Sequence, residues 1–144
     1  MAEYRAATPG SAALHARAAA RVPAGVSSNV RFFPPYPLYA ARADGSRLWD
    51  VDGREYIDYC LAFGPLVTGH GHVRVVEAVR AEAARAGTLI FGAPTDLEAR
   101  LAERLAALVP SAEMTRFTSS GTEATLHALR LARGTTGRSR VVKF

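Results

Sequence analysis

The chain has 144 residues, a mass of 15.4 kDa, 49% hydrophobic and 22% charged residues, and excludes collagen, mucin and acidic disordered tails on that balance. Its net charge of +5 (18 basic against 13 acidic residues) is spread along the chain as arginine, with Lys143 the only lysine. A nucleic-acid surface concentrates its basic residues, so none is expected here.

The first ten residues read as frayed. Ser11 is placed to cap a short helix reaching about Arg21, which Pro23 and Gly25 end. No signal-peptide centre occurs there, and no stretch reaches the about 20 apolar residues of a membrane span. A cytoplasmic protein with no membrane partner is the expectation. Val26 to Pro37 is proline-rich and reads as a loop or extended arm. Two short strands around Asp44-Gly45 follow, then a third near Glu55 to Ile57 after Asp52-Gly53. Together they predict a small antiparallel meander.

Gly64, Pro65, Gly69 and Gly71 break the apolar run from Tyr59 to Gly71. In a helix over Val73 to Ala86, Val75, Val76, Val79 and Ala83 fall on one face, and Gly87 stops it. Thr95 and Glu98 have capping-box spacing ahead of a stripe of Leu97, Leu101, Leu105 and Leu108 that reads as core, and Pro110 closes that helix. Glu113 to Thr118 reads as a strand. A buried helix from Gly121 to Arg133 follows, with Gly134 as its stop, and Arg140 to Phe144 reads as a second strand. Strand, helix, strand predicts a parallel pair with a right-handed crossover. The class is therefore α/β.

The clearest chemical signal is Ser119-Ser120-Gly121-Thr122-Glu123 between strand and helix. Amides at a helix start carry partial positive charge, Gly121 admits an anion close to the backbone, and Ser120 and Thr122 add hydroxyl donors. The pattern fits a phosphate; Ser120 and Glu123 fit an ordinary capping box equally. Arg31 alone reads as a solvated loop arginine, Phe63 as a core aromatic, Trp49 as core, and Cys60 as a small buried residue. One cysteine excludes an internal disulfide framework and suits a reducing compartment. His70 and His72 lack a close third metal ligand; His70 reads as a loop residue with a satisfied hydrogen bond.

Longer blocks carry a resemblance. Ser119 to Thr125, Ala128 to Gly134, Thr136 to Arg138 and Val141 to Phe144 resemble the class III, pyridoxal-phosphate-dependent aminotransferases. The similarity is greatest to the glutamate-1-semialdehyde 2,1-aminomutase branch. It continues collinearly upstream through Pro23 to Arg31, Leu48 to Tyr59, Phe63 to Pro65, Gly69-His70 and Phe91 to Pro94. Asn29 stands where the aminomutase has proline and Phe63 where it has tryptophan; both favour a related aminotransferase.

The resemblance implies fold type I, with a mainly parallel large domain, a small domain built from both chain ends, and a homodimer. On that basis residues 1–58 supply an N-terminal helix, a substrate arm and small-domain strands, and residues 59–144 begin the large cofactor-binding domain. It also implies that Ser120, Gly121 and Thr122 hold the phosphate of pyridoxal 5'-phosphate. Arg31 would grip a substrate carboxylate, with Ser28 beside it and Phe63 lining the pocket. The substrate would be a small amino acid, amino ketone or amino aldehyde.

In the family, the lysine that forms a Schiff base with the cofactor lies downstream of the Val141-Val142-Lys143-Phe144 strand, and Lys143 matches a strand lysine instead. The expectation is thus an N-terminal part without its catalytic lysine. The alternative is a non-catalytic remnant, or a split subunit that pairs with a separate C-terminal half.

Overall fold

The computed structural model describes residues 1–144. They form two compact units, Met1–Leu89 and Ile90–Phe144. The division into domains read from the sequence falls elsewhere, at residues 58 and 59.

In the first unit the expected frayed end is helical: α1 spans Ala2–Ala7 and α2 spans Pro9–Ala19. Pro9 sets the start of α2, because its fixed φ suits the first helical turn and its missing N–H costs nothing there. Ser11 is therefore inside the helix and does not cap it. The anion at this helix start comes from a distant turn. Asp52 accepts the Gly10 amide on Oδ1 at 2.6 Å and the Ser11 amide on Oδ2 at 3.1 Å. A Cβ at Gly10 would lie 2.7 Å from Asp52 Oδ1, so only glycine leaves room for this contact. The Ser11 hydroxyl also donates to Asp52 Oδ2 at 3.3 Å and accepts the Tyr39 amide at 3.2 Å.

The meander forms as expected: β1 (Ala40–Asp44), β2 (Arg47–Asp50) and β3 (Glu55–Ile57), antiparallel in that order. Asp44 faces Arg47 across the Gly45 turn, and Leu48 faces Tyr56. Asp50 ends β2 and is buried, yet its carboxylate is fully engaged. Oδ1 accepts the Asp52 and Arg54 amides at 2.9 and 2.8 Å, and Oδ2 accepts the Tyr56 hydroxyl at 2.8 Å. Trp49, expected in the core, is half-buried beneath the Arg42 guanidinium, 3.5 Å from its ring centre. Helix α3 (Val73–Ala86) ends as expected at Gly87, whose φ of +71° lets its amide close on the Ala83 carbonyl.

The interior of this unit is polar. Thr8, Ser11 and Asp50 are 1%, 0% and 2% exposed, and Tyr36, at 5%, is buried beside Pro37. The Thr8 hydroxyl donates to the Tyr4 carbonyl at 2.6 Å and lies 3.1 Å from the Tyr36 hydroxyl. The Tyr4 hydroxyl donates to the Tyr36 carbonyl at 2.8 Å.

The second unit holds α4 (Asp96–Leu108) and α5 (Gly121–Thr136). Thr95 precedes α4 without a side-chain cap, so that expected capping box is not formed. Helix α5 passes through Gly134 and stops at Gly137, the residue with φ +67°. The α4 stripe expected in a core is open: Leu97, Leu101 and Leu108 are 47%, 50% and 62% exposed. Leu126 and Leu131 of α5 are exposed as well, against the expectation of a buried helix. Residues 113–118 and 140–144 carry no strand ladder, so the predicted parallel pair is absent. A parallel strand draws its hydrogen bonds from neighbouring strands and its burial from both faces, and the apolar run Val141-Val142 supplies neither. The α/β class stands on the meander and the helices.

Asp52→Ala is expected to lower the unfolding free energy by about 1–2 kcal/mol, because it strands two helix-start amides and the buried Ser11 hydroxyl. Asp52→Asn, which keeps an acceptor, should lose less in the same denaturant titration. Equal stability of Asp52→Ala and the native protein would show that this contact does not hold α2.

Candidate functional site

A cavity of about 1010 Å³ opens in the first unit, between the loop that precedes β1 and the turn after β3. Arg31, Phe33, Tyr36, Asp58, Cys60 and Phe63 are among its lining residues. Arg31 ends the short 3₁₀ turn Asn29–Arg31, is exposed, and has no acidic partner. A guanidinium at a largely apolar wall can take a carboxylate through paired hydrogen bonds. Arg31 and Phe63, far apart in sequence, thus share one cavity. Ser28 precedes the 3₁₀ turn and does not line it; its neighbour Ser27 does.

The wall that carries Phe63 has an unusual backbone. Leu61, Ala62 and Phe63 have φ of +43°, +56° and +67°, and Gly64 follows at +107°. Left-handed residues other than glycine cost about 1–2 kcal/mol each, so consecutive ones need a holder. Asp58, just after β3, is that holder. Its Oδ1 accepts the Cys60 and Leu61 amides at 2.8 and 3.0 Å, and its Oδ2 accepts from His70 Nε2 at 2.7 Å. His70 is fixed in turn by a two-way backbone pairing with Gly45, at 2.9 and 2.8 Å. The satisfied loop histidine expected from sequence is therefore observed. Its carboxylate partner is not legible in the sequence, because Asp58 and His70 lie in loops that share no helix or strand. Cys60, expected to be buried, is exposed on the cavity wall because it starts this open turn.

The His70 hydrogen bond, followed by the Leu61 amide, holds the Asp58 carboxyl below its ordinary 3.8. Burial pushes Asp50 up, but the Arg54 amide, the Tyr56 hydroxyl and the Asp52 amide outweigh it and leave that carboxyl lowered too. Burial and then the Asp50 hydrogen bond push Tyr56 up to about 12.

Ser120, Gly121 and Thr122 lie at the start of α5, in the second unit. Half of the expected capping box is formed: the Ser120 hydroxyl accepts the Glu123 amide at 3.2 Å, while Glu123 Oε2 accepts the amide of Ser119, one residue before the cap, at 2.8 Å. This leaves the Gly121 and Thr122 amides and the Thr122 hydroxyl without a partner in the chain. A Cβ built on Gly121 meets no atom within 4 Å, so the space beside those donors is open. The donor set and the room fit a phosphate group, with the Glu123 carboxylate as the one opposing charge.

Residues 30–144 match the family model described as aminotransferase class-III. The chain belongs to that family. It is 56% identical over 131 residues to the glutamate-1-semialdehyde 2,1-aminomutase of Methanothermobacter thermautotrophicus, a match covering 91% of this chain and 31% of that protein. Its fold is similar to an omega-transaminase from Sphaerobacter thermophilus, with a TM-score of 0.87, 40% identity, and coverage of 91% of this chain and 30% of that one. A transaminase solved with PLP bound matches with a TM-score of 0.86 and 43% identity, again over 91% and 30% of the two chains. The chain therefore spans about a third of the length of the curated relatives it matches.

Lowered carboxyls stabilise the fold fully above their unfolded value and lose that contribution as pH falls through the folded one. Thermal stability is thus expected to fall as pH drops from about 5 to below 3, and Asp58→Asn should flatten that slope. The measurement is a melting temperature at each pH; an unchanged slope in Asp58→Asn would remove this carboxyl from the acid response.

Proposed function

We propose that the whole protein is a pyridoxal-phosphate-dependent enzyme that moves an amino group to or from a small carboxylate-bearing compound, and that this chain supplies its N-terminal part. The match of residues 30–144 to the class III aminotransferases carries this reading. The departures at Asn29 and Phe63 favour an aminotransferase beside the aminomutase branch. When bound, the cofactor supplies the amino-group carrier and the electron sink.

The chain's own residues have binding roles. The Gly121 and Thr122 amides and the Thr122 hydroxyl hold the phosphate, with Ser120 shaping the turn. Arg31 takes the substrate carboxylate and so fixes which end of the substrate faces the chemistry. Phe63 forms an apolar wall that keeps water from the substrate's other end, and Ser28 supports the arm that carries Arg31. Residues 1–58 belong to the small domain of the whole enzyme and residues 59–144 to the large one. The enzyme works in the cytoplasm as a homodimer. The open apolar faces of α4 and α5 support a covering surface, on the same polypeptide or on a separately encoded C-terminal half. The intact mass of the protein from its source cells separates those two cases.

In the intact protein, Thr122→Ala is expected to weaken pyridoxal phosphate binding at least about tenfold, the scale of one hydrogen bond to a charged group. Arg31→Ala is expected to raise KM for the carboxylate substrate by a similar factor and leave cofactor affinity unchanged. Unaltered cofactor affinity in Thr122→Ala, measured by absorbance titration, would reject the phosphate assignment.

A further inference from the structure

The cavity's shape depends on a turn that is unfavourable by itself. Leu61, Ala62 and Phe63 all occupy the left-handed region without being glycine. Cys60, Ala62 and Phe63 line the cavity with Arg31, so the conformation of this turn decides how much room remains beside the guanidinium. The turn's own bonds close on Cys60 and Leu61: the Phe63 and Gly64 amides donate to the Cys60 carbonyl at 2.9 and 3.2 Å, and Gly64 also reaches the Leu61 carbonyl at 3.1 Å. What ties it to the sheet is a single carboxylate. Asp58 reaches the Cys60 and Leu61 amides with one oxygen and His70 with the other. Its amide donates to the Ser46 carbonyl at 2.8 Å, and His70 is locked to Gly45, so both partners are anchored to the β1–β2 hairpin end. His70 and Asp58 are only 18% and 12% exposed at their side chains, so water competes little for their contact.

We propose that Asp58 and His70 are positioning residues: they clamp the left-handed turn Leu61–Gly64 to the β1–β2 hairpin, and the clamp sets the size of carboxylate ligand the cavity accepts beside Arg31. This rests on the reading of the cavity as a substrate site. The histidine's contribution is its reach. Its Nε2 meets Oδ2 and keeps Oδ1 turned toward the two amides. A side chain with a donor at the same distance does this work, and a shorter one does not.

The test uses the intact protein and the pair His70→Gln and His70→Asn, which differ by one methylene. The ligands are acetate, butyrate and phenylacetate. Their binding is read as protection of Cys60 from iodoacetamide, with the modified peptide mapped by mass. Amide exchange at Cys60 and Leu61 is followed in parallel, with the β1–β3 amides as the internal reference for folding. In the native protein, protection should differ at least tenfold between the best and worst acid. His70→Asn should bring that ratio to within twofold and speed exchange at Cys60 and Leu61 at least tenfold, with sheet amides unchanged. His70→Gln should restore both. In a Phe63→Ala background, where that wall is already gone, His70→Asn should change the size ratio no further.

Faster turn exchange with an unchanged size ratio would overturn the proposal and leave the pair a purely structural contact. Unchanged exchange in His70→Asn would overturn it directly, as would identical behaviour of the Asn and Gln variants. Should His70→Asn lose its sheet protection as well, Asp58→Ala takes its place: it removes both arms of the clamp, so exchange at Cys60 and Leu61 is expected to quicken at least tenfold and the size ratio to fall to within twofold with the sheet amides unchanged, and slow exchange or an unchanged ratio there would overturn the proposal. Arg31→Ala separates the underlying reading. If all three acids still protect Cys60 in that variant, the carboxylate site is wrong, whereas the exchange data judge the clamp on their own.

Discussion

Three carboxylates, Asp50 buried and Asp52 and Asp58 half-buried, hold the first unit together. Asp50 and Asp52, two positions apart where β2 turns toward β3, face different tasks. Asp50 takes the amides of its own turn and the Tyr56 hydroxyl, and so fixes the hairpin. Asp52 reaches outward to the first amides of α2, and so fixes the N-terminal helix to the sheet. A buried charge is costly unless every lone pair is used, and here Asp50 has a donor on each oxygen. With Tyr36 and Pro37 as its buried apolar side chains, this unit depends on polar satisfaction more than on apolar volume. Such bonds are directional, which suits a unit that must present a loop in one conformation.

The cavity follows from that anchoring. Its rim includes α1 through Met1 and Tyr4, and α1 is tied to the pre-β1 loop by the Tyr4 bond to Tyr36. Its other wall is the left-handed turn, tied to the same sheet by Asp58 and His70. Carboxylates thus organise both sides: Asp52 brings in the N-terminal helices, and Asp58 the turn with Phe63. Arg31 is left with no acid of its own. Asp58, the carboxylate on the cavity wall, is engaged by the turn amides and His70, so the Arg31 guanidinium is free to take an anion.

The second unit is organised differently. No residue between 90 and 144 is buried, and its helices carry leucines on open faces. Amphipathic helices draw most of their stability from whatever covers the apolar stripe, so α4 and α5 are made to be covered. The relatives are about three times as long as the match. At the α5 start, the Ser120 cap and the open Gly121 and Thr122 amides coexist, because a cap consumes only part of a helix's free donors.

The sequence by itself determined the local elements and the family. Asp-Gly turns and alternating residues set the meander, valine and leucine periodicity set α3 and α4, and the blocks from Pro23 to Phe144 set the class III resemblance, since all of these are written in neighbouring residues. Other features depend on partners far away in the chain. Pro9 starts α2 by its own fixed φ, but the carboxylate that meets the Gly10 and Ser11 amides, Asp52, arrives from a distant turn. Helix α5 is a local exception: it runs through Gly134 to Thr136 because Gly137, not Gly134, takes the left-handed stop. The strands expected at 113–118 and 140–144 find no ladder, since β-propensity becomes a strand only beside another strand. The resemblance already implied one pocket for Arg31 and Phe63, whereas the Asp58–His70 contact was decided by tertiary structure alone, because a hydrogen bond between residues that share no helix or strand exists only once the hairpin has brought its two ends together.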